Sequence, residues 1–468
     1  MRRTAPVVAA LALSLPLASL TVTGLPASAA AVPKGGSPGA TSIGDPLFPT
    51  IGNGGYDVRH YDISLDYRSN TSIRATTTIA ARATKRLSRF SLDLEGLHVD
   101  AVTVDGHTAR FRRAGTKLII TPSHPLVGSF TTKVRYHGAP VTHTDPDGSP
   151  DGWIRTTDGA TVQSEPVGAA TWFPNNNTPQ DKAGFRVSVT APSALAVAGN
   201  GTLVKHRHGA RTTWTWTQPR PMATYLAMIS VGRYQVTHTS VRLRSGKRIP
   251  VWNFVDPIFG SAKSERDLVG PIIRFEEGFY GPYPWNSAGV VIDNSKSGYA
   301  LENAGRPVFD GLPDVLTEVH EYGHQWYGDS VTPKRWMDVW LNEGFADYTE
   351  KLWTAKHGGQ SVRAQYQTIY DDTPAGGRLW SPAPARFSDP ADLFGDPVYT
   401  RGGMTLAALR FEIGDTAFFS LLRRWAADHR YGSGTTAEFI ALAERVSHRQ
   451  LDGFFTTWLY TAKKPARF

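Results

Sequence analysis

The chain has 468 residues, 40% of them hydrophobic and 19% charged, with a formal charge of +9 and no cysteine. That length calls for two or three domains, and the composition excludes a disordered chain. Disulfides, a lipoprotein anchor and thiolate metal ligands are excluded, so a metal site must use His, Asp, Glu or main-chain oxygen.

The N-terminus has the pattern of a secretion signal. Arg2 and Arg3 precede an apolar stretch from Ala5 to about Leu20, and Ala27-Ser28-Ala29 supplies small residues for cleavage. An uncleaved anchor is disfavoured by Pro6, Pro16, Gly24 and Pro26. The expectation is a signal peptide over residues 1–29, a secreted product and no lasting membrane association. Residues 30–45, rich in Gly, Pro, Ser and Ala, are expected to form a flexible lead-in.

From Tyr56 the pattern changes to strands. Tyr61, Ile63, Leu65 and Tyr67 alternate with polar residues, as do Phe90, Leu92 and Leu94, and "TTWTWT" (212–217) repeats the period of two. Asp105-Gly106, Asp147-Gly148 and Asp158-Gly159 mark turns between such runs. Residues 46–235 are expected to form an antiparallel β domain of twisted sheets packed face to face.

The remainder, 236–468, is expected to form a second domain, in which helical patterns take over beyond about residue 260. A helix is predicted from Pro313 to about Tyr327, a second from Trp336 to about Lys356, and two more amphipathic helices over 402–430. Thr435 and Glu438 have capping-box spacing before a further helix, and "LDGFFTTWLY" (451–460) closes the chain. Lys and Arg are scattered without a long basic run, which fits a solvated surface better than a nucleic-acid partner.

Within the first of these helices stands "VHEYGHQW" (319–326). Residues four apart on a helix are neighbours, so His320 and His324 can direct imidazoles at one ion. Glu321 is rotated off that line, towards water on the metal. A catalytic zinc needs a third protein ligand from a nearby element, and Glu343 in "WLNEGFADY" (340–348) is placed to return across the site. Asp347 and Glu350, further along the same face, are either partners that orient a zinc-bound histidine or, equally, solvated helix charges. His137, His143, His206 and His208 fall in turn-rich or β segments and are expected to be solvated.

"VHEYGHQWYGDSVTPKRWMDVWLNEGFADYTE" (319–350) resembles the aminopeptidase N-like gluzincin family, and Trp326, Gly328, Trp336, Trp340, Asn342 and Gly344 match its pattern. The resemblance extends over about residues 46–468. It implies an α+β multidomain fold, with an N-terminal antiparallel β domain followed by a thermolysin-like, mainly helical catalytic domain. It also implies one Zn2+ per chain and peptide substrates with a free N-terminus. "YALEN" (299–303) stands where the family keeps Gly-Ala-Met-Glu-Asn; Ala300, Glu302 and Asn303 agree, and Tyr299 and Leu301 replace Gly and Met. Glu302 is thereby implied to hold the substrate amine, with the adjacent main chain pairing with the peptide.

"VQSEPVGAATWFPNNNTPQDKAGF" (162–185) resembles the family's Gln-x-Glu segment and the signature after it, which implies that Glu165 is a second amine anchor; Asn177 stands where an aspartate is usual. "VYTRGG" (398–403) resembles the Tyr-x-Lys-Gly segment, with Arg401 for Lys, and implies that Tyr399 donates to the developing oxyanion. Phe394 occupies a position where some relatives carry another tyrosine. The stretch after Tyr399 is too short for the helical C-terminal domain of longer relatives, so a more open cleft, or one closed by oligomerisation, is expected. The expected activity is zinc-dependent aminopeptidase with Glu321 as general base. A thermolysin-type endopeptidase would not need Glu302 and Glu165, and an inactive peptide-binding protein would keep the site only as a vestige.

Overall fold

In the computed structural model, the described residues are 35–468, apart from His208 and the side chains of residues 205–207. The expected signal peptide and residues 30–34 lie outside them. Alternation along Tyr56–Ser69 buries Tyr61, Ile63, Leu65 and Tyr67 on one face, and this strand pairs with the long strand Ser72–Asp93. The two sit at the centre of a large sheet. Ala183–Pro192 and Arg211–Met222 extend it on one side, and Leu126–Gly138 and His98–Val104 on the other. A second, five-stranded sheet runs in the order Ala196–Gly199, Ile229–Gly232, Ala160–Gln163, Pro150–Arg155 and Thr142–Thr144.

Two pairings depart from the antiparallel expectation. Ala183–Pro192 runs parallel to Tyr56–Ser69, and Ser37–Pro38 runs parallel to Ser72–Asp93. Parallel neighbours need a long crossover, which the second sheet's strands supply between Tyr56–Ser69 and Ala183–Pro192. The lead-in expectation is corrected for residues 35–45, which are tied to the sheet. Gly39 N donates to Arg89 O at 2.7 Å, and the buried Asp45 carboxylate accepts Trp336 N at 3.0 Å. A Cβ at Gly39 would lie 2.5 Å from Gly54 O, so the glycine allows this close approach.

Gln235–Arg242 starts another sheet with Arg248–Val255, Val291–Asp293 and Val308–Asp310, the last two strands parallel. Helices follow: α1 (Lys263–Tyr280), α2 (Val315–Gly323), α3 (Trp340–Lys356), α4 (Val362–Asp372), α5 (Gly402–Asp428) and α6 (Thr436–Ser447). Among the described residues, no helix is long and apolar enough to cross a membrane.

The predicted helix from Pro313 to Tyr327 is shorter at both ends. Asp314 caps α2 by accepting Thr317 N at 2.8 Å, and after Gly323 the chain tightens, with Gln325 N donating to Tyr322 O and Trp326 N to Gly323 O. The second helix begins at Trp340, after a single 3-10 turn at Trp336–Asp338. The two helices predicted over 402–430 form α5, which breaks at Gly414, where φ is 79°. The Thr435–Glu438 capping box is present.

Candidate active site

α2 and α3 bring His320, His324 and Glu343 together. Nε2 of each imidazole lies 3.3 Å from Glu343 Oε2. A tetrahedral zinc with bonds of ~2.0–2.1 Å has ligand–ligand edges of ~3.3–3.4 Å, so these separations fit the ion. The opposite ring nitrogens are held from behind: His320 Nδ1 is 2.7 Å from Glu350 Oε1, and His324 Nδ1 is 3.1 Å from Tyr327 O. With Nδ1 engaged, each ring would offer its Nε2 lone pair to an ion shared with Glu343, and the donor set of two imidazoles and a carboxylate suits zinc. Of the two acids left open as orienting partners, Glu350 takes the role. Asp347 instead accepts the Tyr366 hydroxyl at 2.6 Å.

Glu321 lies beside this set with Oε2 buried and without a hydrogen-bond partner. Burial pushes its carboxyl up to about 7, against the pull of the neighbouring imidazoles. Glu165 and Glu302 are buried in the same cavity of about 240 Å³, each with Oε1 unpartnered. Burial raises both; it holds Glu165 well above the ordinary carboxylate range, with the charges of Glu302 and Glu343 adding to it, and the Glu343 charge adds to the rise of Glu302. Two buried carboxylates with orphaned oxygens are costly unless a cationic group meets them. No Lys or Arg lines this cavity among the described residues.

Glu302 is set by its own segment and by α2. Leu301 and Val308 exchange main-chain hydrogen bonds of 2.8 Å, and Gln325 Nε2 donates to Glu302 O at 2.9 Å. Gln325 was not singled out in the sequence, and its only signal was its place one residue after His324. Tyr299, standing for the family's glycine, fits because the positive φ falls on Gly298, at 87°. Ala300 lines the cavity. Asn303 does not: its buried amide donates to Leu226 O at 3.2 Å, so its expected substrate-binding role is corrected to a structural one.

Tyr399 also lines the cavity, its ring 5.8 Å from that of His320 and tilted by 17°. It is brought there by a glycine contact between α3 and α5. A Cβ on Gly344 would come within 2.7 Å of the Gly402 carbonyl carbon. Arg401 is buried and donates to Trp380 O, Thr457 O and Thr461 O, which anchors the Tyr399 turn to the end of the chain. Phe394 lines the cavity without a hydroxyl. Asn177, where an aspartate is usual, donates to Val167 O at 2.6 Å and accepts from Thr224 Oγ1.

Two of the histidines expected to be solvated have carboxylate partners instead. His137 Nδ1 is 2.8 Å from Asp100, and the half-buried His143 is 3.1 Å from Glu95. Asp100 comes from the neighbouring strand His98–Val104 and Glu95 from the loop before that strand, placements that a one-dimensional pattern does not show. His208 and the side chain of His206 lie outside the described residues.

Comparison with known proteins agrees with this geometry. A sequence model described as the Peptidase family M1 domain matches residues 314–458, and one described as the Peptidase M1 N-terminal domain matches residues 58–226. The chain is similar to aminopeptidase N of Streptomyces lividans, with 26% identity over 332 residues, covering 64% of this chain and 38% of that protein. It is also similar to human aminopeptidase Q, with 34% identity over 211 residues, covering 40% of this chain and 21% of that protein. The chain thus spans well under half the length of these relatives. A solved structure of an M1 zinc metallopeptidase from Deinococcus radiodurans superposes with a TM-score of 0.81 at 28% identity, covering 89% of this chain and 96% of that one. A variant of the Deinococcus enzyme bound to a Tyr-Ser-Ala substrate matches equally well.

Proposed function

The chain belongs to peptidase family M1, in a two-domain form with a mainly β N-terminal domain and a helical zinc-binding domain, and from that premise we propose that it is a secreted aminopeptidase. The observation that carries the reading is the pairing of Glu165 and Glu302 in one cavity with His320, His324 and Glu343. A zinc site alone serves any peptidase. Two buried carboxylates beside it match a free N-terminal ammonium, held by charge-assisted hydrogen bonds. Fixing that ammonium sets the first peptide bond at the reacting centre and turns a general peptidase into an exopeptidase.

His320, His324 and Glu343 would hold the zinc, which supplies Lewis acidity for the scissile carbonyl and acidifies water. Glu321 takes the proton of the attacking water on its carboxylate and passes it to the departing amine. Its raised affinity for a proton suits both halves of that exchange. The Tyr399 hydroxyl donates to the oxygen on which negative charge develops. Glu302 and Glu165 remain on the ammonium throughout.

The test is a panel of aminoacyl arylamides with and without an N-acetyl group, each run with and without chelator. Free-amine substrates are expected to be cleaved, with acetylation and chelation each abolishing activity. Cleavage that survives acetylation indicates a thermolysin-type endopeptidase, and absence of any chelator-sensitive cleavage indicates a vestigial site. Secretion rests on Arg2, Arg3, the apolar stretch and Ala27-Ser28-Ala29. N-terminal sequencing of the protein from culture medium checks it, and a start at Met1 overturns it.

A further inference from the structure

The hairpin formed by Thr142–Thr144 and Pro150–Arg155 turns over residues 145–149, and its tip places Asp147 and Ser149 in the lining of the active-site cavity. The register of the adjoining pair sets Gly152 opposite Gln163, so continuing along both strands brings the tip alongside Glu165. The tip thus stands on the side of the cleft that carries Glu165, one of the two carboxylates read as amine anchors.

Two contacts hold the tip there. The Tyr299 hydroxyl donates to Pro150 O at 2.7 Å, and Gln163 Nε2 donates to Tyr299 O at 3.3 Å. Within the turn, Asp147 Oδ1 accepts Ser149 N at 2.9 Å and Ser149 Oγ at 2.6 Å, which orients the carboxylate. Asp147 is exposed and makes no ion pair among the described residues, and no Lys or Arg lines the cavity. An acidic group in the cavity lining, beside the amine-anchoring carboxylates and without a cationic neighbour, favours a cation on the residue they hold.

We propose that Asp147 is a specificity-determining residue that favours substrates whose first residue is arginine or lysine. The proposal rests on the aminopeptidase reading. Tyr299 acts as a positioning residue, because its hydroxyl fixes the segment that carries Asp147.

The experiment compares arginyl with citrullinyl arylamide, and lysyl with norleucyl, for the zinc-loaded wild type and for Asp147→Asn, which keeps the acceptor for Ser149. The wild type is expected to prefer the charged member of each pair. In Asp147→Asn the preference should fall roughly three- to tenfold, mainly through KM, the size of a partly exposed charge pair. The wild-type preference should shrink as salt rises. Tyr299→Phe should lower the same ratio by a smaller factor. Equal handling of arginine and citrulline by the wild type, or an unchanged ratio in Asp147→Asn, overturns the proposal. If no free-amine arylamide is cleaved, the aminopeptidase reading fails instead. Calorimetric binding of L-arginine against L-citrulline to the two proteins then still decides whether Asp147 recognises the cation.

Discussion

His320 Nδ1 lies 2.7 Å from Glu350 Oε1, on the side of the ring opposite the nitrogen that faces Glu343. Glu350 thereby fixes the tautomer and the angle of the imidazole and raises its basicity. Glu350→Gln is expected to weaken zinc binding by about 10- to 100-fold, read by competition with a chromogenic chelator. Asp347→Asn should change it far less, because that carboxylate is engaged by Tyr366. Equal losses in the two variants would show that general negative charge, not orientation, is what the ion needs.

Glu321 stands outside the ligand set but within the same cavity, with one buried carboxylate oxygen free. Glu321→Gln should therefore retain stoichiometric zinc by metal analysis while kcat falls by about 10²- to 10⁴-fold, the usual worth of a general base. Loss of zinc together with activity would assign Glu321 to holding the site rather than to moving the proton.

The ligand set was legible because it is written in helical spacing. His320 and His324 share a face by periodicity alone, and Glu343 had to lie on a returning helix. Asp347 against Glu350 was not legible, because both follow Glu343 on its face and the choice is made by Tyr366 from α4, across the interior. The same holds for residues 35–45. Their composition reads as a loose segment, yet Gly39 is needed for an approach to Gly54 that only the folded sheet creates. Asn303 matched the family's pattern, and its Nδ2 donates to Leu226 O while its buried Oδ1 has no hydrogen-bond partner, a placement that depends on a segment distant in the chain. Asp147 read only as half of a turn signal. Its place in the cleft follows from hairpin register, which no local pattern states.

Lys182 links the β domain to the turn that follows the zinc helix. Its Nζ donates to Asp329 O at 2.9 Å, Ser330 O at 3.0 Å and Gly432 O at 2.7 Å, three carbonyls for the three N–H groups of an ammonium. Burial pulls its pKa down to about 7, so these bonds offset a real desolvation cost. Lys182→Met removes the charge and takes the ammonium from three carbonyls, of which Gly432 O keeps a hydrogen bond from Thr332 Oγ1, and should lower stability by about 2–3 kcal/mol in urea unfolding. Lys182→Arg should restore it only in part, because the longer, planar guanidinium replaces a compact ammonium whose three N–H groups these carbonyls surround. A fully stable Lys182→Met protein would mean that water replaces the amine at no cost.

Asp145 and Asp151 form a buried acid pair in the hairpin that carries Asp147, exposed by 6% and 0%, each with Oδ1 unpartnered. Burial and the nearby Asp151 push Asp145 up to about 9, and burial pushes Asp151 up to about 7. His143, 3.9 Å from Asp145, and Glu95, Asp147 and Tyr299 are other titratable groups facing the pair. Both pKa values are raised above the unfolded value, so between them the folded state binds more protons than the unfolded one. The pair's contribution to stability is complete below ~4 and is lost as the pH rises through about 7 and then about 9. Asp145→Asn removes one ionising partner. It should match the wild type near the acid end and exceed it at pH values above about 8 by at least ~1.4 kcal/mol, the worth of one pKa unit. Urea unfolding of both proteins across that range reads the difference directly, and a gap that stays constant with pH would show that Asp145 ionises alike in the folded and unfolded chain.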